Sequence, residues 1–173
     1  MRRRSWRGAL LAVAFAVPAV ARAAPATGIG TPLTQADLAQ VFAIPPDGRG
    51  LPAGQGGVVQ GAAVYAQVCA ACHGENLQGV KTIGAPALIG GRGTLTTKPL
   101  KTVESYWPYA TTLFDYVKRA MPMNAPGSLT NEQVYAVCAY VLARAHIVPQ
   151  DAVMDAKTLP AVQMPNRRGF VVN

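Results

Sequence analysis

Histidine is almost missing from this chain: His73 and His146 are the only two in 173 residues. Cysteine is nearly as scarce, with Cys69, Cys72 and Cys138. These few soft ligands do not supply a closed four-ligand zinc set in any familiar spacing. Acidic residues are few as well, eight against sixteen Lys and Arg. Five of those sixteen lie before residue 24 and none of the acidic ones does, so beyond that point eleven face eight and the charge falls from +8 to +3. An excess that small leaves no footprint for nucleic acid. No stretch alternates as a half-buried strand would, and no internal repeat or low-complexity tract is present. No strand is therefore expected. There is also no apolar run long enough to cross a membrane: Gly8 to Val17 is too short, and Pro18 interrupts its end.

What is present begins with targeting. Arg2, Arg3, Arg4 and Arg7, the apolar run and Ala21-Arg22-Ala23 have the form of a cleavable secretory signal over residues 1–23. Export to the periplasm is the expectation, with no membrane span once the signal is cut. Cleavage leaves 150 residues, enough for one domain and not comfortably for two.

The stretch with the most specific chemistry is Cys69-Ala70-Ala71-Cys72-His73. Two thiols three positions apart can each add across a vinyl group of one porphyrin, and the adjacent imidazole can ligate the iron, so the motif reads as a c-type haem attachment site. A redox dithiol would want a βαβ context that is absent, and a structural disulfide would leave His73 unexplained. One motif implies one covalent haem c. Cys138 falls within the apolar stripe of a later helix and reads as a small core residue.

The rest of the chain is arranged about that motif. Residues 24–56 form an arm rich in Ala, Pro and Gly, with turns at Pro45–Gly48 and Leu51–Gly54 and one helical stretch, Thr34 to Phe42, capped by Thr34. A domain over residues 57–148 follows. Val58, Val59, Ala62, Ala63, Tyr65, Ala66 and Val68 suggest a helix delivering the chain to the cysteines. Gly74 to Leu100 is glycine-rich and without period, as expected where a cofactor replaces side-chain core. Pro108 is expected to open a helix reaching Ala120, with Asp115 spaced to pair with Lys118 or Arg119. Thr130-Asn131-Glu132-Gln133 has capping-box form, and Val134, Val137, Cys138, Val141, Leu142 and Ala145 recur at helical spacing up to His146. Residues 149–173 read as an extended tail.

With His73 on one side of the iron, the sixth position decides between carrier and haem enzyme or ligand sensor. Met121, at a helix end before Pro122, is the candidate, and Met123 is its competitor; Met164 and His146 are remoter choices. A ligating histidine usually donates its other N–H to a carbonyl, and the Pro86 carbonyl is placed to accept it, with Leu88 packed on the ring. Arg92, Tyr106, Trp107 and Tyr109 are the expected partners of the propionates. The alternative for each aromatic is plain core.

Gly61, Tyr65, Cys69 to Gly74, Pro86-Ala87-Leu88, Met121-Pro122 and Tyr140 together resemble class I cytochrome c over about residues 57 to 148. That resemblance implies an all-α domain whose first and last helices cross through Gly61 and Tyr65 against Tyr140, and it favours Met121 as the ligand. A narrower likeness rests on Pro46–Pro52, Gly90–Leu95, Thr102–Tyr116 and Met164–Arg167. These segments are similar to the cytochrome c subunits of periplasmic molybdenum sulfite dehydrogenases and of Sox-type sulfur dehydrogenases. The likeness implies a non-catalytic, electron-accepting subunit that takes electrons from a molybdopterin dehydrogenase and passes them to a downstream cytochrome. A free soluble cytochrome serving another dehydrogenase or a terminal oxidase is the alternative. Two positions depart from the pattern: Met123 stands where an aromatic is usual, and Arg168 where an acidic residue is.

Overall fold

The computed structural model describes residues 43–170, with Thr31, Thr34 and Ala36 as isolated positions before them. The expected signal segment lies outside the described residues, as does the Thr34–Phe42 helix apart from Thr34 and Ala36. The chain divides into two units, Met1–Leu38 and Ala39–Asn173. Among the described residues the second unit carries β1 (Gln55–Gly57), α1 (Val58–Val68), α2 (Ala70–His73), a 3-10 turn (Lys81–Ile83), α3 (Ala110–Ala120), α4 (Asn131–Arg144), β2 (Val153–Asp155) and α5 (Thr158–Ala161). None of its described helices is long and apolar enough to cross a membrane.

The fold is mostly helical, and its centre is the crossing of α1 and α4. Helix α1 buries Val58, Gly61, Val64 and Tyr65, a stripe at helical spacing. Val59, grouped with that stripe in the sequence, is instead 86% exposed. Gly61 is where the backbones come closest: a Cβ there would fall inside the Ala136 carbonyl and against Tyr140. One turn on, the rings of Tyr65 and Tyr140 lie 5.2 Å apart at 45°. The expected contact of Gly61 and Tyr65 with Tyr140 is thus what the structure contains.

Helix α4 begins with the expected capping box. The Thr130 hydroxyl accepts the Gln133 amide at 3.3 Å, and the Gln133 side chain accepts the Thr130 amide at 2.9 Å. It ends in a Schellman motif: His146 N–H donates to Ala143 O, Ile147 N–H to Leu142 O, and His146 itself is left-handed at φ 53°. Cys138 is fully buried on this helix, and burial raises its thiol pKa.

Helix α3 starts at Ala110, two residues later than expected from Pro108. Tyr109 is still extended (φ −139°, ψ 136°) and is itself the N-cap, so Pro108 precedes the helix and does not open it. The Arg167 guanidinium stands over the Tyr109 ring at 5.3 Å, tying that extended residue to the tail. Asp115 pairs with Arg119, not with Lys118. Lys118 instead donates to the Leu129 carbonyl at 2.7 Å, closing the loop between α3 and α4.

A sheet was not foreseen: β1 and β2 pair antiparallel, Gln55 opposite Asp155, Gly56 opposite Met154 and Gly57 opposite Val153. Three residues are too few to alternate visibly, and Gln-Gly-Gly carries no β preference. Gly56 is required there by its neighbour, because a Cβ would strike the Glu132 carbonyl and the Ala136 amide of α4.

The described part of the arm, from residue 43, and the tail are built into the core. Ile44, Met154, Leu159, Val162 and Met164 are buried. The Ile44 amide donates to Asp115 at 2.9 Å, and the Tyr135 hydroxyl donates to the Pro52 carbonyl at 2.8 Å. The tail, weakly periodic in sequence, is thereby more structured than an extended strap.

Candidate functional site

Helix α1 hands the chain to the cysteines through a break. Cys69 (φ −117°, ψ −37°) ends α1, its amide still bonded to Tyr65 O at 2.9 Å, and one further turn, α2, carries Cys72 and His73. Gly74 stops that turn with φ 77°, a conformation costly for other residues. Its carbonyl accepts the Tyr65 hydroxyl at 2.7 Å, which fixes the motif to the helix crossing. Burial pushes the Cys69 thiol up to about 11, with the Cys72 thiol beside it adding to the rise.

His73 Nδ1 lies 2.8 Å from the Pro86 carbonyl, as expected from the proximal rule. A carbonyl can only accept, so Nδ1 carries the proton and the Nε2 lone pair is free for a metal. The loop that brings Pro86 there is held by its own backbone. Gly79 N–H donates to His73 O at 2.7 Å, Val80 and Ala85 form a bridge, and Leu88 N–H donates to Leu77 O at 2.8 Å. Gly79 (φ 76°) passes so close to Ala85, Pro86 and Ala87 that no side chain fits.

Between this loop and the helices lies a cavity of about 820 Å³. Cys69, Cys72, His73, Pro86, Leu88, Trp107 and Met121 all border it, so seven of the ten residues singled out from sequence come to one place. Tyr109 does not, lying under the Arg167 guanidinium, and neither do two others. Arg92 turns away to bond Glu104 at 3.1 Å and to donate to the Ala145 carbonyl at 2.9 Å, at the end of α4. Tyr106 is likewise absent from the wall: its ring meets Phe170 edge-on at 5.2 Å, and its carbonyl accepts from Asn166 at 2.6 Å. The expectation that these two face propionates is corrected on that ground, since both are spent on fixing the tail and the end of α4. Trp107 does face the cavity, set edge-on to Tyr116 at 5.7 Å.

Met121 is the C-cap of α3, half-buried and facing the cavity. Met123 borders the same space but is 79% exposed, a rim position. Met154 and Met164 are buried elsewhere in the core, and His146 is an exposed helix cap. Sequence reasoning missed Lys101, Thr102 and Tyr116 as wall residues. It also missed Val137 and Val141, whose helical spacing marks them as buried without saying whether protein or cofactor covers them.

The donor set fits a covalent porphyrin: two thiols, an imidazole with a free nitrogen and a thioether share the wall of one largely apolar cavity. Comparison with known proteins agrees. The family model for cytochrome c matches residues 58–145. A thiosulfate dehydrogenase of Stutzerimonas stutzeri (strain A1501) is 32% identical over 106 residues, 58% of this chain; the match spans 32% of that relative's length. A chain in the crystal structure of the sulfane dehydrogenase SoxCD from Paracoccus pantotrophus is 38% identical, with a TM-score of 0.75 over 85% of this chain and 72% of that one. This chain therefore belongs to the cytochrome c family, as an electron-transfer domain carrying one covalently bound haem c and related to these sulfur-compound dehydrogenases.

Proposed function

We propose that this chain is a periplasmic, monohaem electron carrier, the non-catalytic electron-accepting subunit of a molybdenum sulfite or sulfur dehydrogenase that passes electrons on to a downstream cytochrome. The supporting observation is the extent of the likeness to the SoxCD chain. It covers 85% of this chain, so it reaches well past the region matched by the cytochrome c model into arm or tail. The tail and the arm from residue 43 on are packed into the core here and are more than a minimal carrier needs.

In this reading Cys69 and Cys72 take the two thioether bonds, His73 Nε2 ligates the iron and Met121 completes its coordination. Haem supplies a one-electron iron couple, and a thioether ligand favours the ferrous state and raises the potential. Pro86 holds the His73 ring in one orientation and one tautomer through the 2.8 Å bond. Leu88, Trp107, Val137 and Val141 exclude water from the ring faces, which keeps the reorganisation on electron transfer small.

The test is purification of the tagged, native-source protein at low salt with metal analysis. A stoichiometric molybdenum protein, whose presence lets sulfite or a sulfur compound reduce the haem, supports the proposal. A chain that purifies alone and is reduced by another dehydrogenase is the free soluble carrier instead. The name of the Stutzerimonas relative favours one further reading, that the haem domain is itself catalytic. Thiosulfate reducing the isolated protein, with carbon monoxide binding to its ferrous form at neutral pH, would establish that in place of the carrier.

A further inference from the structure

Haem carries two carboxylates, and of the four side chains expected to meet them only Trp107 is on the cavity wall, while Arg92, Tyr106 and Tyr109 are not. Among the described residues the wall contains one cationic side chain, Lys101. Its other titratable members are Tyr65, Cys69, Cys72, His73 and Tyr116, and no carboxylate is among them. A carboxylate brought into so apolar a space is costly unless a cation or hydrogen-bond donors meet it. The nearest acid in sequence, Glu104, is occupied: it accepts the Gly90 amide at 2.6 Å and pairs with Arg92. Among the described residues Lys101 makes no ion pair, and its ammonium stands 5.1 Å from the centre of the Tyr106 ring.

Lys101 is also held in place. Its neighbour Thr102 is buried; the Thr102 amide donates to the Ser105 hydroxyl at 3.0 Å and the Ser105 amide to the Thr102 hydroxyl at 3.1 Å. The Thr102 hydroxyl donates to the Gly90 carbonyl at 2.7 Å, and the Ser105 hydroxyl to the Leu100 carbonyl. These bonds close the turn on both sides of residue 101, so the lysine backbone is fixed although its side chain is long. Thr102 and Trp107 border the cavity beside it and add polar atoms to the same stretch of wall.

We propose that Lys101 is the charge partner of the haem carboxylates in this chain, and that by placing a cation beside the porphyrin it holds the reduction potential up. In sequence the lysine looks like part of a solvated basic rim that steers acidic partners. The structure puts it on the cavity wall, with its side chain still exposed, a place that Lys98, absent from the wall, does not share. A cation near the ring disfavours the extra positive charge of ferric iron, so removing it lowers the potential.

The proposal rests on haem occupying this cavity through Cys69 and Cys72. Each variant is therefore first checked for covalent haem by its pyridine haemochrome, and a colourless wild-type protein would sink that reading before this one is reached. The experiment compares the midpoint potentials of the holoproteins carrying Lys101→Gln, Lys101→Met, Lys101→Arg and Lys98→Gln, at low and at high salt. Lys101→Gln and Lys101→Met are expected to lower the potential at low salt enough to shift the ferric-to-ferrous ratio at least about fivefold toward ferric, a shift that high salt reduces because the lysine is exposed. Lys101→Arg restores it. Lys98→Gln has a smaller effect at low salt. An unchanged potential in Lys101→Gln, an equal fall in Lys101→Arg, or an equal fall in Lys98→Gln would each overturn the proposal.

Discussion

The two halves of this domain get their interiors from different sources. On one side, α1, α4 and the β1–β2 sheet close on each other through backbone: Gly56 and Gly61 allow no Cβ, and Tyr135, Leu142 and Val134 are fully buried. On the other, the loop from Gly74 to Val103 arches over a largely apolar cavity of about 820 Å³, with Leu88, Trp107, Val137 and Val141 on its wall. The first half would be packed in any helical protein. The second is a loop held by its own backbone bonds around a space that fits a cofactor, and the porphyrin would stand there where a core otherwise would. Sequence period and sequence irregularity thus carry separate information: period marks where protein meets protein, and its absence next to Cys69–His73 marks where protein meets ring.

The strongest way to break that contrast is to remove the attachment. Replacing both cysteines, Cys69→Ala with Cys72→Ala, is expected to leave no haem after acid–acetone extraction. Hydrogen exchange of that chain should then show amides of residues 77–103 losing protection by about a hundredfold or more relative to those of α4, since local opening follows the loss of buried contacts. Equal protection across both halves would mean that the loop is folded by itself, and the contrast would be gone.

The second test stays within the cofactor half. Met121→Ala should abolish the methionine-to-iron charge-transfer band of the oxidised protein and lower its potential, while Met123→Ala, at a rim position, leaves the band in place. The reverse result would move the ligand by two residues and redraw the cavity mouth.

Legibility in the sequence follows the same division. The capping box at Thr130, the stripe of α4 and the delivery of α1 into the cysteines could be read because each rests on residues within a turn or two of each other. The cysteine pair, His73 and its Pro86 partner were legible because their chemistry admits few alternatives. Arg92 was misplaced because its partners, Glu104 and the Ala145 carbonyl, lie 12 and 53 positions away and no local pattern announces them. The sheet was invisible because its strands are three residues long and about a hundred apart, and Lys101 because an exposed lysine beside a cavity and any other exposed one look alike until the fold is known.

On the protein half the sharper test is steric. Gly61→Ala puts a methyl group into the Ala136 carbonyl, so α1 and α4 must separate, at a cost of about 2–3 kcal/mol in denaturant unfolding of the holoprotein. Gly57→Ala, whose Cβ would find only ordinary contacts 3.6 Å and more away, should cost no more than about 1 kcal/mol, the usual loss at an N-cap. Equal costs at the two positions would show that the crossing is not the tight point.

The smallest effect is expected where the tail joins this half. The Asp155 carboxylate accepts the amides of Thr158 at 2.7 Å and Lys157 at 2.8 Å, and those bonds, the one from Thr158 first, hold its pKa below the ordinary 3.8. A carboxyl with a depressed folded value stabilises the fold above its unfolded pKa and stops doing so as pH falls through the folded one. Asp155→Asn should therefore be slightly less stable than the native chain near pH 7, and the gap should close below about pH 4 as the native carboxyl takes up its proton. Because this group sits on β2 and far from the motif in sequence, the same acid titration should leave the haem spectrum of the two proteins identical. A gap that persists unchanged into acid would mean that Asp155 acts by shape and not by charge, and a spectral difference would mean that the tail reaches the iron after all.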